Sequence, residues 1–252
     1  MAGAMSGFAA IRRPLGLAYK SEITCATCNR RETCVTGGVP AEDLERVEDI
    51  VYARRRIRRG ECLFAAGDEL RCLYAIRAGF FKTSLVDSEG REQVTGFFMS
   101  GELLGMDSLG SGRCPGNAIA LEDSDVCAMP YSLIEKMGRE VPSLQRRVHA
   151  VLAREIVRNQ GVMLLLGTMR AEQRVATFLL NLSRRFERRG YSESEFHLRM
   201  TRKEIGSYLG LKLETVSRVL SAFHEDGLLD IDNKHVRIVN LAGLERVLAA
   251  RN

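Results

Sequence analysis

Hydrophobic positions change their spacing twice along this chain, and the changes divide it into regions. Across residues 54–129, short apolar stretches such as CLYAIRAGFFKTSLV and QVTGFF are separated by glycines, which predicts short strands in an all-β roll or barrel. Before them, PAEDLERVEDIVY has apolar residues on one helical face and predicts a short helix over residues 40–52. After Pro142, apolar residues recur at steps of three and four and predict one long helix.

The apolar stripe of this long helix is narrow. A narrow stripe on a long helix favours pairing with a second copy in a two-stranded coiled coil, although a helix lying on its own domain has a similar period. Asn159 falls in the stripe, where a neutral amide fixes the register of a pair without charge repulsion. We therefore expect a homodimer, with an interface made of Val148, Leu152, Ile156, Asn159, Met163 and Leu166.

The C-terminal region contains two helices joined by a tight turn. Thr201 and Glu204 have the spacing of a capping box, and Gly210 ends the helix that they open. A second helix begins near Leu213, and LLDIDNKHVRIVNL then predicts a hairpin that turns within residues 232–234. Helix, glycine turn, helix and hairpin together predict a winged helix-turn-helix.

Polar side chains cluster at the start of the second of these helices. An arginine there can form a fork of hydrogen bonds to guanine O6 and N7, and a glutamate can accept from cytosine N4. An ordinary helical hairpin is the alternative, but its exposed face would more often carry Lys and Glu at i,i+4 spacing. We therefore predict binding to double-stranded DNA through Glu214, Thr215, Ser217 and Arg218.

Composition is that of a globular protein. Of the 252 residues, 45% are hydrophobic and 27% are charged, and the formal net charge of +5 permits a polyanionic partner without requiring one. No apolar run reaches the roughly 18–20 residues of a membrane span, and the first residues lack the apolar core of a secretory signal. We expect a cytoplasmic protein with no membrane partner. Because no Ser/His/Asp arrangement, phosphate loop or paired-carboxylate site is recognisable, we do not expect an enzyme.

The stretch CATCNRRETC brings Cys25, Cys28 and Cys34 close together. A reducing compartment and an odd count of seven cysteines disfavour structural disulfides and favour metal, cluster or redox chemistry. Three thiolates are one short of the four ligands that zinc or an iron–sulfur cluster usually takes. Spacing alone leaves the metal open, and it leaves the fourth ligand open among Cys62, Cys72, Cys114 and Cys127.

The order of these parts resembles the Crp/Fnr superfamily of bacterial transcription regulators. The chain is most similar to its oxygen-sensing branch, the fumarate and nitrate reduction regulators, in LFAAGDELRCLYAIRAG, GFFMSGELLGMDSLGSG, NLSRRFERRG, MTRKEIGSYLGL and ETVSRVL. The resemblance implies an α+β fold with a double-stranded β-roll sensor of the cyclic-nucleotide-binding type. It divides the chain into a cysteine arm, the roll, a dimerisation helix and a winged helix-turn-helix domain, over residues 1–39, 40–141, 142–169 and 170–252.

The resemblance also implies a function. It is that of an oxygen-responsive regulator that binds an inverted-repeat operator as a homodimer while a [4Fe-4S] cluster is intact, controls anaerobic gene expression and contacts RNA polymerase. It implies Cys127, in SDVCAMP, as the fourth ligand beside Cys25, Cys28 and Cys34, and leaves the other cysteines as core or surface thiols. It further implies that Glu214, Ser217 and Arg218 read bases.

Other functions stay open at this point, and the first is a cyclic-nucleotide-responsive regulator of the same fold. GELLG resembles the start of a nucleotide-binding cassette that includes Glu102, but where an arginine would clamp a cyclic phosphate the sequence reads GRCPGNAIA, with Arg113 before a Cys-Pro-Gly turn. A zinc- or thiol-redox-responsive regulator of the same fold is a second alternative. A redox protein whose cluster carries electrons is a third, and it leaves the helix-turn-helix without a role.

Overall fold

The computed structural model describes residues 18–19, 24–51 and 53–249. Its first half is a roll of two antiparallel sheets. The roll strands are β1 (Ala18–Tyr19), β2 (Ala53–Ile57), β3 (Cys62–Phe64), β4 (Cys72–Ala78), β5 (Phe80–Val86), β6 (Glu92–Met99), β7 (Leu103–Leu104), β8 (Asn117–Ala120) and β9 (Ser124–Pro130). One sheet has the order β1-β2-β9-β4-β7 and the other has the order β3-β8-β5-β6. Apolar side chains such as Ile76, Phe81 and Leu104 fill the space between the sheets.

Three helices cover the outer face of the five-stranded sheet. They are α1 (Ala41–Glu48), α2 (Tyr131–Glu140) and α3 (Pro142–Thr168). Leu44 of α1, Ile134 of α2 and Leu144 of α3 are buried with Leu73 and Met129 of the sheet. The first helix is shorter than its predicted span because the chain must leave it to enter β2. The long helix starts at Pro142 as predicted, since a proline at the first helical position gives up no hydrogen bond.

The C-terminal domain is the predicted winged helix-turn-helix. Its elements are α4 (Ala171–Glu187), β10 (Glu195–His197), α5 (Arg202–Leu209), α6 (Leu213–Glu225), β11 (Leu229–Asp232), β12 (His235–Ile238) and α7 (Leu241–Ala249). The capping box is present, because the Glu204 amide donates to Thr201 Oγ1 at 3.2 Å and the Thr201 amide donates to Glu204 Oε2 at 2.7 Å. Gly210 ends α5 with a φ of 62°, and Asn233 turns the wing with a φ of 53°.

The C-terminal domain sits on the four-stranded sheet of the roll. The Phe97 ring of β6 packs edge-on against Phe178 of α4 and Tyr208 of α5, with centroid distances of 5.9 and 5.3 Å. Lys82 Nζ lies 3.1 Å from a Glu204 carboxylate oxygen, which ties β5 to α5. In this arrangement the polar side chains Glu214 and Arg218 of α6 remain exposed.

Helix α3, with 27 residues, is the longest in the described part of the chain. Neither it nor any other described helix has the apolar length that a bilayer crossing requires.

Candidate cysteine site and nucleic-acid interface

The segment that carries three cysteines, residues 25–34, lies against the five-stranded sheet. Cys25, Cys28, Cys34 and Cys127 line one cavity with Arg54 and Arg77. Cys127 reaches it from β9, where it is paired in register with Arg54 of β2. The structure therefore brings together the four cysteines that the resemblance implied.

The other three cysteines lie elsewhere in the roll. Cys114 is buried between the sheets, and Cys72 packs against that same core. Cys62 donates from its Sγ to the Phe64 carbonyl oxygen, 2.9 Å away. None of these three cysteines is among the residues that line the cavity of the four clustered thiols.

Burial controls the acidity of the clustered thiols. Burial, followed by the neighbouring Glu48 carboxylate and the other thiols, raises the pKa of Cys25 to about 12. Burial also raises the pKa of Cys34 and of Cys127, and for Cys127 the Arg54 guanidinium acts in the opposite direction. These thiols are consequently protonated near neutral pH, and a bound metal centre would displace their protons.

The four clustered thiols line one cavity but do not form a preformed site for a single metal ion. Within the described ranges, no three or more Cys, His, Asp or Glu side chains converge closely enough to hold one ion. A zinc ion requires its sulfurs at about 2.3 Å from a single centre, whereas the body of an iron–sulfur cluster keeps its thiolate ligands farther apart. Four thiols around one cavity, with the buried Arg54 beside Cys127, suit a group whose thiolates carry negative charge.

Arg147 joins the cysteine segment to helix α3. Its Nε donates to the Cys34 carbonyl oxygen at 3.0 Å, and its Nη2 donates to the carbonyl oxygens of Cys34 and Glu32 at 2.9 and 2.7 Å. A Cβ atom at Gly37 would lie 2.6 Å from the Glu32 carbonyl oxygen and 2.8 Å from Arg147 Nη2, so this approach requires glycine. Arg147 could not be identified from the sequence, since a side chain that binds a distant backbone leaves no periodic signal.

Part of helix α3 presents apolar side chains to solvent. Of the predicted interface residues, Ile156 and Met163 are 58% and 65% exposed, and Asn159 is also exposed. The other three, Val148, Leu152 and Leu166, are partly buried against the hydrophobic cores of the same chain. Val157 and Leu164, which were not predicted, are exposed beside Ile156 and Met163. The free apolar face is therefore rotated towards Val157 and Leu164 relative to the predicted stripe.

Helix α6 presents the predicted DNA-reading side chains outwards. Glu214 and Arg218 are exposed, and Thr215 and Ser217 are half-buried at the same end of the helix. The opposite face of α6 is buried through Val216, Val219, Leu220 and Phe223. This division leaves one polar face available to a DNA groove.

Comparisons with known proteins agree with this architecture. Residues 54–140 match the cyclic nucleotide-binding domain, and residues 173–247 match the Crp-like helix-turn-helix domain. The chain is 43% identical to the transcriptional regulatory protein btr of Bordetella pertussis over 224 residues. The match covers 89% of this chain and 93% of that protein. It is 41% identical over 218 residues to the fumarate and nitrate reduction regulatory protein of Escherichia coli K12, with 86% and 87% covered. This chain belongs to the Crp/Fnr family.

A solved structure of the same family gives the same fold. FixK2 from Bradyrhizobium japonicum superposes with a TM-score of 0.72 at 31% identity, covering 79% of this chain and 98% of that one. The predicted family and fold class are thus confirmed. As a Crp/Fnr member with a DNA-binding helix-turn-helix, the chain is a transcription regulator and not an enzyme.

In this Crp/Fnr regulator, the groups expected to recognise a cyclic nucleotide are bound to the protein itself. Glu102 pairs with Arg185 at 2.7 Å and with Arg189 at 2.6 Å. Burial opposes ionisation of Glu102, but these guanidiniums hold its pKa below the usual range. Arg113 Nη1 donates to the Gly67 carbonyl oxygen at 2.9 Å. Both side chains therefore already have partners within the protein.

Proposed function

We propose that this Crp/Fnr regulator responds to oxygen. It binds an inverted-repeat DNA operator as a homodimer while a [4Fe-4S] cluster is intact, and it controls anaerobic gene expression. The observation that carries the proposal is the meeting of four thiols, from Cys25, Cys28, Cys34 and Cys127, around one cavity. The likeness to a regulator of fumarate and nitrate reduction supports it, because both reactions take electrons when oxygen is scarce.

The four cysteines would hold the cluster, which supplies reactivity towards oxygen. Three of them lie on the segment that Arg147 binds, and the fourth lies on β9. Thiolate ligands on both the segment and β9 would fix the segment against the roll, together with the two carbonyl groups that accept from Arg147. If the cluster were lost, the segment would be free to move away from Arg147. The Arg147 guanidinium would then lose its carbonyl acceptors, which costs free energy unless other acceptors replace them.

Arg147 lies on the same helix as the exposed apolar face of Ile156 and Met163. A change at the start of α3 therefore alters how this face is presented to a second copy. Dimer and monomer form a two-state equilibrium, and a few kcal/mol of differential stability is enough to move it from one state to the other.

Anaerobic purification tests the proposal. We expect the visible absorption of an iron–sulfur cluster, about four irons per chain, a dimer in sedimentation and tight operator binding. Brief exposure to air should remove the absorption and weaken both dimerisation and operator binding. The matched control is Cys62→Ser, because the Cys62 thiol lies away from the cavity. This variant should respond to air as the unsubstituted protein does. A colourless protein that contains zinc, or full operator binding after exposure to air, would refute the proposal.

Arg218 is expected to read a base. Two α6 helices related by a two-fold axis bind half-sites about one DNA turn, roughly 34 Å, apart. Loss of a two-bond contact between Arg218 and guanine costs about 1–3 kcal/mol at one symmetric pair of positions. In a binding-site selection, Arg218→Ala should erase the preference at that pair while non-specific affinity falls much less.

Lys212→Ala is the matched control for Arg218→Ala. Lys212 is exposed and directly precedes α6, a position suited to contact a DNA phosphate. Loss of a phosphate contact lowers the affinity for all DNA sequences equally. A uniform loss of affinity in Arg218→Ala, equal to that of the control, would make Arg218 a backbone contact instead.

A further inference from the structure

The cysteine segment also contacts the DNA-binding domain of its own protomer. Arg30, two residues after Cys28, donates from Nη1 to the Arg189 carbonyl oxygen at 3.1 Å and from Nη2 to the Tyr191 hydroxyl at 2.5 Å. Its guanidinium also lies 5.1 Å from the centre of the Tyr191 ring. We call these three residues the Arg30 bracket. It is separate from Arg147 and from helix α3.

The Arg30 bracket adjoins the main polar contact between the two domains. Arg189 follows the end of α4, and its guanidinium donates to the Ser100 carbonyl oxygen at 2.7 Å and pairs with Glu102 at 2.6 Å. Thr33 of the cysteine segment packs on Gly101 so closely that any Cβ there would collide with it. The cysteine segment, the turn at residues 100–102 and the end of α4 therefore meet at one place.

The bracket depends on the shape of the cysteine segment. Arg30 is held by a 3-10 turn in which the Arg31 amide donates to the Cys28 carbonyl oxygen at 3.1 Å and the Cys34 amide donates to the Arg30 carbonyl oxygen at 3.0 Å. Both acceptors of the Arg30 side chain are uncharged, so these bonds weaken steeply with changes in distance and angle. A small displacement of the segment is enough to open the bracket.

We propose that the Arg30 bracket fixes the orientation of the DNA-binding domain within each protomer, as a second output of the cysteine site that does not pass through dimerisation. The inference rests on the proposed function for one step, that the order of the cysteine segment depends on the cluster. Glu214 and Arg218 face outwards in this arrangement, and we take the closed bracket as the DNA-competent state. Opening it weakens operator binding in a protein that is still a dimer.

The test uses full-length protein purified without oxygen, with iron content, sedimentation and operator affinity measured on the same samples. Arg30→Ala removes both hydrogen bonds. It should keep iron and dimer at the level of the unsubstituted protein, while operator affinity falls about tenfold, the effect of losing two ordinary hydrogen bonds. Tyr191→Phe removes only the hydroxyl group and should lower the affinity about threefold.

Hydrogen exchange and salt dependence separate the bracket from other effects of the change. The Gly190 and Tyr191 amides, which donate to the carbonyl oxygens of Glu187 and Phe186, should exchange faster in Arg30→Ala. The dependence of operator affinity on salt should not change, because Arg30 is not a phosphate contact. Arg188→Ala is the matched control. It removes the same charge from an exposed position beside Arg189 and should leave affinity and exchange as they are in the unsubstituted protein.

Two results would overturn the inference. One is unchanged operator affinity in both Arg30→Ala and Tyr191→Phe while iron and dimer are intact. The other is loss of iron in both variants, which would make these side chains part of the cysteine site. Failure of the proposed function differs from both, because it appears in the unsubstituted protein as a missing cluster or a missing response to air.

Discussion

Cys127→Ser should lose nearly all of its iron and, with it, the tight operator binding of the anaerobic protein. Cys127 is the one clustered cysteine that lies on a strand, whereas the other three lie on a single short segment. Without its thiolate, a bound group would be held by that segment alone and would no longer link it to β9. A serine hydroxyl is a poor substitute because it does not ionise near neutral pH.

The measurement is iron per chain in all seven single Cys→Ser variants, prepared anaerobically. Iron should fall from about four per chain to near zero for each of the four clustered cysteines, and it should be kept for Cys62, Cys72 and Cys114. The ligand assignment is wrong if Cys127→Ser retains its iron while one of the three outer variants loses it.

Ile156→Glu should be a monomer even without oxygen. Ile156 is more than half exposed in the protomer, so the change does not disturb a core, and the variant should fold normally. In a dimer formed through α3, two carboxylates would be buried near the two-fold axis without partners, at a cost of several kcal/mol. Sedimentation should therefore detect monomer only, with weak operator binding and normal iron content.

Val239→Glu provides the control for Ile156→Glu. Val239, between the wing and α7, is 57% exposed, so an equal change is made at an equally exposed apolar site away from α3. This variant should remain a dimer. An unchanged dimer in Ile156→Glu would place the interface elsewhere on the surface.

Much of the fold could be predicted because it is encoded locally. The capping box of Thr201 and Glu204, the Gly210 turn and the wing turn each depend on residues close together in sequence, and each has the expected geometry. The long helix was recognised from its own period. These local features are enough to predict the helix-turn-helix without any tertiary contact.

Contacts between distant segments could not be predicted in the same way. Spacing alone left four candidates for the cysteine that joins the loop thiols, and only the resemblance selected Cys127. The period of α3 revealed an apolar helix but not which apolar side its own protomer covers, so Val157 and Leu164 were missed. Arg30 and Arg147 bind backbone carbonyl groups far along the chain, and nothing in their local sequence distinguishes them from other surface arginines.

The pairing of Glu102 with Arg185 and Arg189 changes what a small messenger molecule could do to this protein. A sugar hydroxyl that competed for Glu102 would have to displace two guanidiniums and leave them without a carboxylate partner. Those guanidiniums belong to α4 and to the residues just after it, so the competitor would loosen the DNA-binding domain from the roll. We therefore expect a molecule that occupied this position to uncouple the two domains rather than to activate the protein.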